Sequence, residues 1–156
     1  MRYGGLYGII LLLHLLTAVF IIGPLAIAGV AAPRALDDGE PAVQRLQDGH
    51  RLVQRYALAS ILVPLLGTAM IGLGNDGDVG AQWAFNQFWV SSSYALYLVA
   101  VLALLLVAAP AIKKAAAALE AGESTEVYKG RMQASAGGAA LAFVVIIVLM
   151  VFKPGA

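Results

Sequence analysis

The chain has 156 residues, of which 61% are hydrophobic and 12% are charged, whereas a soluble domain carries roughly 25% charged residues. This shortage of charge indicates that lipid is the solvent for most of the chain. A net charge of +1 gives no broad attraction to nucleic acid, and the lack of cysteine excludes disulfides, thiolate metal sites and thiol catalysis.

Four long apolar runs predict four membrane-spanning helices, at about residues 4–32, 56–74, 88–112 and 132–152. Each is close to or above the roughly 20 apolar residues that a span needs. Transmembrane strands would alternate apolar and polar residues, and these runs are apolar on all sides. The first run exceeds the core of a signal peptide, about 7 to 15 residues, so we interpret it as a retained helix. The sequence therefore predicts an all-α, antiparallel four-helix bundle that forms one membrane domain.

Basic residues are concentrated in two of the three connections, those at 33–55 and 113–131. Together these connections hold eight of the ten Lys and Arg side chains: Arg34, Arg45, Arg51, Arg55, Lys113, Lys114, Lys129 and Arg131. The connection at 75–87 has two acidic residues and no basic one. Since positively charged loops stay in the cytoplasm, both termini are predicted on the outer side of a bacterial plasma membrane. The arginines of the first connection then serve topology and lipid-headgroup contact, or a partner docks on them.

Both basic connections are predicted to contain helix. The stretch from Pro41 has apolar residues at near-helical spacing and predicts an interfacial helix that runs into the second span, with Gly49 as a weak point. After Lys114, strong helix formers extend the third span until Gly122, and Ser124 or Thr125 is expected to cap the fourth helix. The third and fourth helices should thus form a hairpin that projects from the bilayer.

The outer connection and the last span contain the residue types of an interaction surface. Trp83, Phe85, Phe88 and Trp89 mark the membrane interface or a partner contact, since both use aromatic side chains. Asp76 and Asp78 are two acids without further ligands, so we interpret them as a solvated turn. Gly137 and Gly138 belong to a small-residue face that suits close helix packing. Pro24 and Pro64 should kink their helices, and Pro64 removes the helical partner of the Ser60 carbonyl.

His14 is the one ionisable side chain well inside an apolar run. The sequence leaves three roles open: a packed neutral ring bonded to Thr17, a tyrosine or a backbone carbonyl; a single haem or metal ligand; or a proton-transfer group. His50 lies in the first basic connection, roughly 25 Å away in depth at 1.5 Å per residue, so the two histidines cannot share one haem. No catalytic set or metal site is predicted, and haem is the one cofactor left as an alternative.

The first half of the chain resembles known bacterial membrane families. Leu13-His14-Leu15-Leu16 with Gly23 resembles the first span of a four-helix family known only as predicted integral membrane proteins of unknown function. Pro33-Arg34 and the segment Arg51 to Gly67 are also similar to more distant families, the copper-resistance D-like proteins and the membrane protoporphyrinogen oxidase. The oxidase pattern has a lysine in its third span, where this chain has Ser91-Ser92-Ser93-Tyr94. The uncharacterised family is therefore the better fit.

Three functions follow from these patterns. The first is a non-catalytic accessory or structural subunit that assembles with other membrane proteins, with a respiratory complex as one host. The alternative is a haem-binding redox or haem-synthesis protein that uses His14 as a single axial ligand. The third is a copper-related transporter, for which Met70, Met132 and Met150 would be scattered soft ligands. The chain lacks a nucleophile–His–acid set and a phosphate-binding glycine loop, so the sequence leans away from an enzyme.

Overall fold

The computed structural model describes residues 5–37, 41–73 and 83–154 and places most of them in helices. No described residue lies in a strand. A 3₁₀ helix, Ala32–Asp37, and two π-helical stretches, Ala18–Ile22 and Leu104–Ala108, extend or link the α-helices. In chain order, the α-helices are α1 Gly5–Thr17, α2 Gly23–Ala31, α3 Ala42–Ala59, α4 Leu62–Leu73, α5 Phe88–Ala103, α6 Ala109–Glu120 and α7 Glu126–Phe152.

These elements join into four long helical rods that are long and apolar enough to span a membrane: Gly5–Asp37, Ala42–Leu73, Phe88–Glu120 and Glu126–Phe152. The all-α four-helix prediction is thereby confirmed. A rod of 33 residues is about 50 Å long, whereas the hydrocarbon core is about 30 Å thick. The first three rods are therefore longer than the lipid core is thick. Asp76 and Asp78 of the outer connection lie outside the described residues.

Four prolines lie within the rods, each in or next to a local change in hydrogen bonding, and Pro33 lies in the 3₁₀ segment Ala32–Asp37. Pro24 and Pro110 closely follow the two π-helical stretches, while Pro64 follows a tight turn at Ser60 and Ile61. Proline lacks an N–H and its ring collides with the carbonyl one turn earlier, so a widened or tightened turn relieves both problems. The Ser60 carbonyl, which Pro64 cannot bond, accepts the Val63 N–H instead, at 2.9 Å.

The four rods form a ring in which each contacts its two neighbours. α1 and α2 of the first rod pack against α4 and α3 of the second, α3 packs against α6, and α7 packs against both α2 and α5. We call the end that carries Ala32–Asp37 and the turn at 121–125 the basic end, and the opposite end, with residues 83–88 and 153, the aromatic end. The largest fully buried side chains of the main cluster are Leu25, Leu46, Val53, Leu104, Ile112 and Met132, which come from all four rods.

The core is unevenly distributed along the bundle. The main cluster draws on residues 25–36, 46–57, 100–116 and 132–146, most of which lie between the middle of the bundle and the basic end. The aromatic end holds a second, smaller cluster of Ile71, Trp89 and Val90. In α1 only Tyr7 and His14 are buried, and its leucines and isoleucines face outward. Within the first rod, α2 is thus packed into the main cluster, whereas α1 is attached to the bundle mainly through its contacts with α4.

The segment predicted as an interfacial helix is instead part of the bundle. α3 continues without interruption through Gly49 and buries Leu46 and Val53 between α2 and α6. The sequence prediction of an interfacial position was wrong because the apolar stripe of α3 meets neighbouring helices rather than lipid. A Cβ at Gly49 would lie 3.9 Å from the Ala32 Cβ, an ordinary contact distance between α3 and the preceding segment.

The turn between α6 and α7 confirms one predicted signal and corrects another. Gly122 has a φ of +69° and ends α6, with the Glu123 N–H donating to the Ala118 carbonyl and the Gly122 N–H to the Leu119 carbonyl. This is the Schellman pattern, in which glycine takes the left-handed position at no steric cost. Thr125 is the N-cap of α7, but its side chain makes no capping bond. Its backbone carbonyl accepts the N–H groups of Tyr128 and Lys129, at 3.0 Å each.

Candidate functional site

His14 lies at the contact between α1 and α4. Its Nδ1 is 2.9 Å from the backbone carbonyl oxygen of Val63, and the residue is only 7% exposed. A carbonyl oxygen only accepts hydrogen bonds, so Nδ1 carries a proton and donates it. Among the three partners expected from the sequence, the structure therefore selects a backbone carbonyl. The Thr17 hydroxyl instead donates to the carbonyls of Leu13 and His14 within the same helix.

A group of hydroxyls surrounds the break at Pro64. The Tyr94 hydroxyl of α5 lies 3.1 Å from the Pro64 carbonyl oxygen, and the Thr68 hydroxyl lies 2.9 Å from the same atom. The two hydroxyls are 2.7 Å apart. Because each hydroxyl has one proton, one of them donates to the carbonyl while the other donates to its neighbouring hydroxyl. We call His14, Thr68 and Tyr94, with the carbonyls of Val63 and Pro64, the Pro64 cluster. It ties the first, second and third rods together at the residues where the second rod is interrupted.

Gly67 provides the room for this cluster. A Cβ at this position would lie 3.5 Å from His14 Cε1 and 3.7 Å from the Tyr94 hydroxyl, which is ordinary contact distance. A longer side chain would have to push one of them aside. A second hydroxyl pair, Ser60 and Tyr97, lies 2.8 Å apart, and Ser60 also donates to the Ala57 carbonyl. The hydrogen bonds of His14, Tyr94 and Tyr97 thus link the second rod to the first and third rods.

His50 repeats the His14 arrangement on the next pair of rods. Its Nδ1 is 2.8 Å from the carbonyl oxygen of Ala109, the residue directly before Pro110. In the same way, Val63 directly precedes Pro64. Each histidine thus donates to the carbonyl before a proline of the following rod. The sequence analysis placed His50 in a connection, and only the packing of α3 on α6 reveals this bond.

The structure separates the four aromatic residues predicted at the outer end. Trp83 and Trp89 pack edge to face, with ring centroids 5.8 Å apart, and the Lys153 Nζ lies 4.2 Å above the Trp83 ring. The ring centroids of Phe85 and Tyr94 are 5.7 Å apart, while Phe88 is 62% exposed. Lys153 has a φ of +44°, a left-handed conformation that is uncommon for a residue other than glycine. Its contact with the tryptophans helps to keep the end of α7 in that conformation.

The small-residue stretch of α7 has two sides with different surroundings. Ala136 and Ala139 are buried, and a Cβ on Gly29 of α2 would lie only 3.1 Å from the Ala136 Cβ. On the other side, Gly130, Gly137 and Gly138 are exposed, and a Cβ on any of them would meet no atom within 4 Å. The predicted interaction residues Gly137 and Gly138 therefore face away from the bundle. α2 packs against the opposite side of α7, at Ala136.

The predicted basic residues lie at one end of the bundle and are mostly exposed. Arg51 makes only a long, exposed contact of 3.9 Å with Asp48. Lys129 forms a bidentate ion pair with Asp37, at 2.7 and 2.9 Å, which joins the two basic connections. The hydrogen bond to Asp37 raises the pKa of Lys129 above its ordinary value. The sequence analysis missed this pair, since the two residues are far apart in the chain and nothing local links them.

Two grooves flank α6 at the basic end. The groove between α3 and α6 has a volume of about 310 Å³, and its charged and polar lining is Gln47, His50, Arg51, Lys113 and Glu120. The groove between α6 and α7 has a volume of about 290 Å³ and is lined by Leu106, Val107, Pro110, Ala111, Lys114, Tyr128 and Arg131. Neither includes His14. Among the described residues, no group of three or more His, Asp or Glu side chains is placed to hold a metal ion.

One comparison with known proteins identifies the family of this chain. A family described as predicted integral membrane protein, DUF2269, matches residues 8–154, and the chain belongs to that family. No curated protein and no solved structure matches the chain. The resemblance to an uncharacterised membrane family is therefore confirmed, while the likenesses to copper-resistance D-like proteins and to the oxidase stay predictions.

Proposed function

We propose that this DUF2269 protein is a non-catalytic accessory or structural subunit of a larger membrane assembly. The observation that carries the proposal is the open small-residue face of α7. Gly130, Ala134 and Gly138 recur every four residues and so share one face of the helix, with Gly137 beside them. All four are exposed. Such a face allows the backbone of another membrane helix to approach closely, which is the main source of helix association in lipid.

The inner side of α7 supports the same interpretation. There, small residues already bring α2 and α7 close together, at Gly29 and Ala136. The outer side offers the same type of contact without an occupant in the bundle. The thinly covered α1 adds a second outward surface, with Leu6, Ile9 and Leu12 all more than half exposed. A respiratory complex is one candidate host for a subunit of this kind.

The polar groups inside the bundle also favour a structural role. The ring of His14 and the hydroxyls of Thr68 and Tyr94 are already engaged with backbone carbonyls or with each other. Ion-coupled carriers and redox subunits usually keep charged groups or cofactor ligands on the pathway. In the Pro64 cluster the described donors are engaged with carbonyls or with a neighbouring hydroxyl. Their arrangement is that of a scaffold, which supports the accessory role.

Substitution on the open face tests this proposal. We expect Gly138→Leu to leave the bundle folded, because a Cβ there meets nothing within 4 Å. It should block close approach of a partner helix and release co-purifying subunits after gentle solubilisation. Gly72→Leu on α4 is the matched control, since Gly72 is equally open. Native gels that show the same large species for all three proteins, or a lone monomer for the wild type, would contradict the proposal.

The alternative is a haem-binding protein with His14 as a single axial ligand, and one observation favours it. Metal-bound histidines usually donate their second ring N–H to a carbonyl or carboxylate, as His14 Nδ1 does to Val63. The Nε2 atom has no hydrogen-bond partner among the described residues. Against it, the residue is 7% exposed, and neither of the two grooves reaches it.

An absorbance spectrum separates the two functions. If His14 binds haem, the purified protein has a Soret band that His14→Ala removes and His50→Ala retains. Protein produced with ample haem that shows no Soret band would exclude the alternative. In that case the subunit role is unaffected, because it depends on α7 rather than on His14.

A further inference from the structure

The two grooves beside α6 differ in their charge. In the groove between α3 and α6, Glu120 lies with Arg51 and Lys113 and accepts a hydrogen bond from Gln47 at 3.2 Å. The groove between α6 and α7 contains Lys114 and Arg131 and no acidic side chain. Neither of these two cations forms an ion pair with a described residue. Within the described part of the chain, the second groove therefore presents two positive charges without an acidic side chain in its lining.

The same groove continues from its charges into the apolar surface of the bundle. Leu106, Pro110 and Lys114 are spaced four residues apart, so they follow one face of the third rod. The distance from Leu106 to Lys114 along the axis is roughly 12 Å at 1.5 Å per residue. This approaches the thickness of one leaflet's hydrocarbon, about 15 Å or half of the core. Leu106 is 69% exposed, so the apolar end of the groove opens toward lipid.

We propose that the groove between α6 and α7 binds an anionic phospholipid. Its phosphate lies between Lys114 and Arg131, and one acyl chain lies along Pro110, Val107 and Leu106. Ala111, which is buried, forms the floor. The half-buried Tyr128 precedes Arg131 by three residues on α7, so it lies nearer the end of the bundle than the two cations, on the headgroup side of the groove. Tyrosine is enriched at membrane–water interfaces because its ring is apolar and its hydroxyl is polar. The predicted orientation places this end in the cytoplasmic leaflet, where anionic lipids attract basic residues.

The apolar half of the groove distinguishes a lipid from a free anion. A soluble phosphate would contact Lys114 and Arg131 and would leave Leu106 and Val107 unused. A lipid fills both halves and gains from each. Substitutions at either end of the groove should therefore weaken lipid binding, whereas only the loss of Lys114 or Arg131 should weaken binding of a free phosphate.

The test uses the full-length protein in a mild neutral detergent, with binding of phosphatidylglycerol measured by native mass spectrometry at several lipid concentrations. Each basic residue near an anionic membrane contributes about 1 kcal/mol, which is roughly a fivefold change in affinity. We expect the Lys114→Gln/Arg131→Gln protein to bind phosphatidylglycerol about 30-fold more weakly. Arg34→Gln/Arg55→Gln is the matched control, because it removes the same charge from exposed positions outside the groove. It should bind like the wild type.

Two further measurements identify the ligand. Leu106→Gln should also weaken phosphatidylglycerol binding, and glycerol 1-phosphate at millimolar concentration should not compete. Phosphatidylcholine with the same acyl chains should bind more weakly than phosphatidylglycerol. The proposal is overturned if both double variants weaken binding equally, if glycerol 1-phosphate displaces the lipid, or if phosphatidylcholine binds as well. Unfolding temperatures without added lipid should match among all variants, since the substituted side chains are exposed.

Discussion

His14 and His50 make the same hydrogen bond in two very different places. Each donates from Nδ1 to the carbonyl that precedes a proline on the next rod, at 2.9 and 2.8 Å. His14 is 7% exposed and joins the thinly packed α1 to α4. His50 is partly exposed, lies beside a polar groove, and belongs to a helix that the main core already holds. Because the two hydrogen bonds have similar lengths, we expect the burial and packing around each histidine to decide how much its bond stabilises the bundle.

The largest expected effect comes from removing the His14 ring. His14→Ala loses a buried hydrogen bond and leaves a cavity between α1 and α4, so it should lower the free energy of unfolding by about 2–4 kcal/mol. Thermal unfolding in a fixed detergent measures the change. A loss smaller than that caused by His50→Ala would show that α1 does not depend on this contact.

The second prediction concerns Gly67, whose lack of a side chain leaves room for the His14 ring. Gly67→Ala should be tolerated, because its Cβ would lie 3.5 Å from His14 Cε1. Gly67→Leu should displace the ring and destabilise the bundle by about 1–3 kcal/mol through overpacking. The same unfolding measurement applies, with Gly72→Leu as a control on the open side of α4. Equal stability of Gly67→Leu and Gly67→Ala would contradict this role.

A smaller effect is expected at the basic end. His50→Ala removes one partly exposed hydrogen bond from a helix that keeps its buried face, so the loss should be about 1 kcal/mol. The Leu46 and Val53 contacts remain in place. If His50→Ala proves as damaging as His14→Ala, the two sites are equivalent and the contrast drawn between them is wrong.

The smallest effect concerns the ion pair between Lys129 and Asp37. Lys129→Gln should change stability little, because the pair is solvated, and added salt should reduce the difference further. The hydrogen bond to Asp37 raises the pKa of Lys129 above 10.5. Its contribution is therefore complete below the unfolded-state pKa and is lost only as pH rises through the raised value. The difference in unfolding temperature between the wild type and Lys129→Gln should be the same at pH 6 and pH 9. If that difference disappears between pH 6 and pH 9, Lys129 is not the group whose charge stabilises this contact.

Several particular features were predictable without coordinates. The four rods follow from the length of the apolar runs, and the end of α6 follows from Gly122, whose left-handed conformation suits glycine. Interruptions at Pro24 and Pro64 follow from the missing N–H groups. The outward position of Gly138 did not follow, because a small residue suits either side of α7. The placement of α3 was predicted wrongly, since an amphipathic pattern reports an apolar face but not whether lipid or protein covers it.

The sequence by itself determined how many helices are long and apolar enough to cross a membrane and which residues are charged, because hydropathy and chain length are local properties. Only the tertiary structure decided that His14 faces Val63, that His50 faces Ala109, and that Lys114 and Arg131 share a groove. The reason is that lipid and protein interior are both apolar. A uniformly apolar helix carries no pattern that says which side faces inward, so its rotation and neighbours are set by steric fit and a few polar contacts.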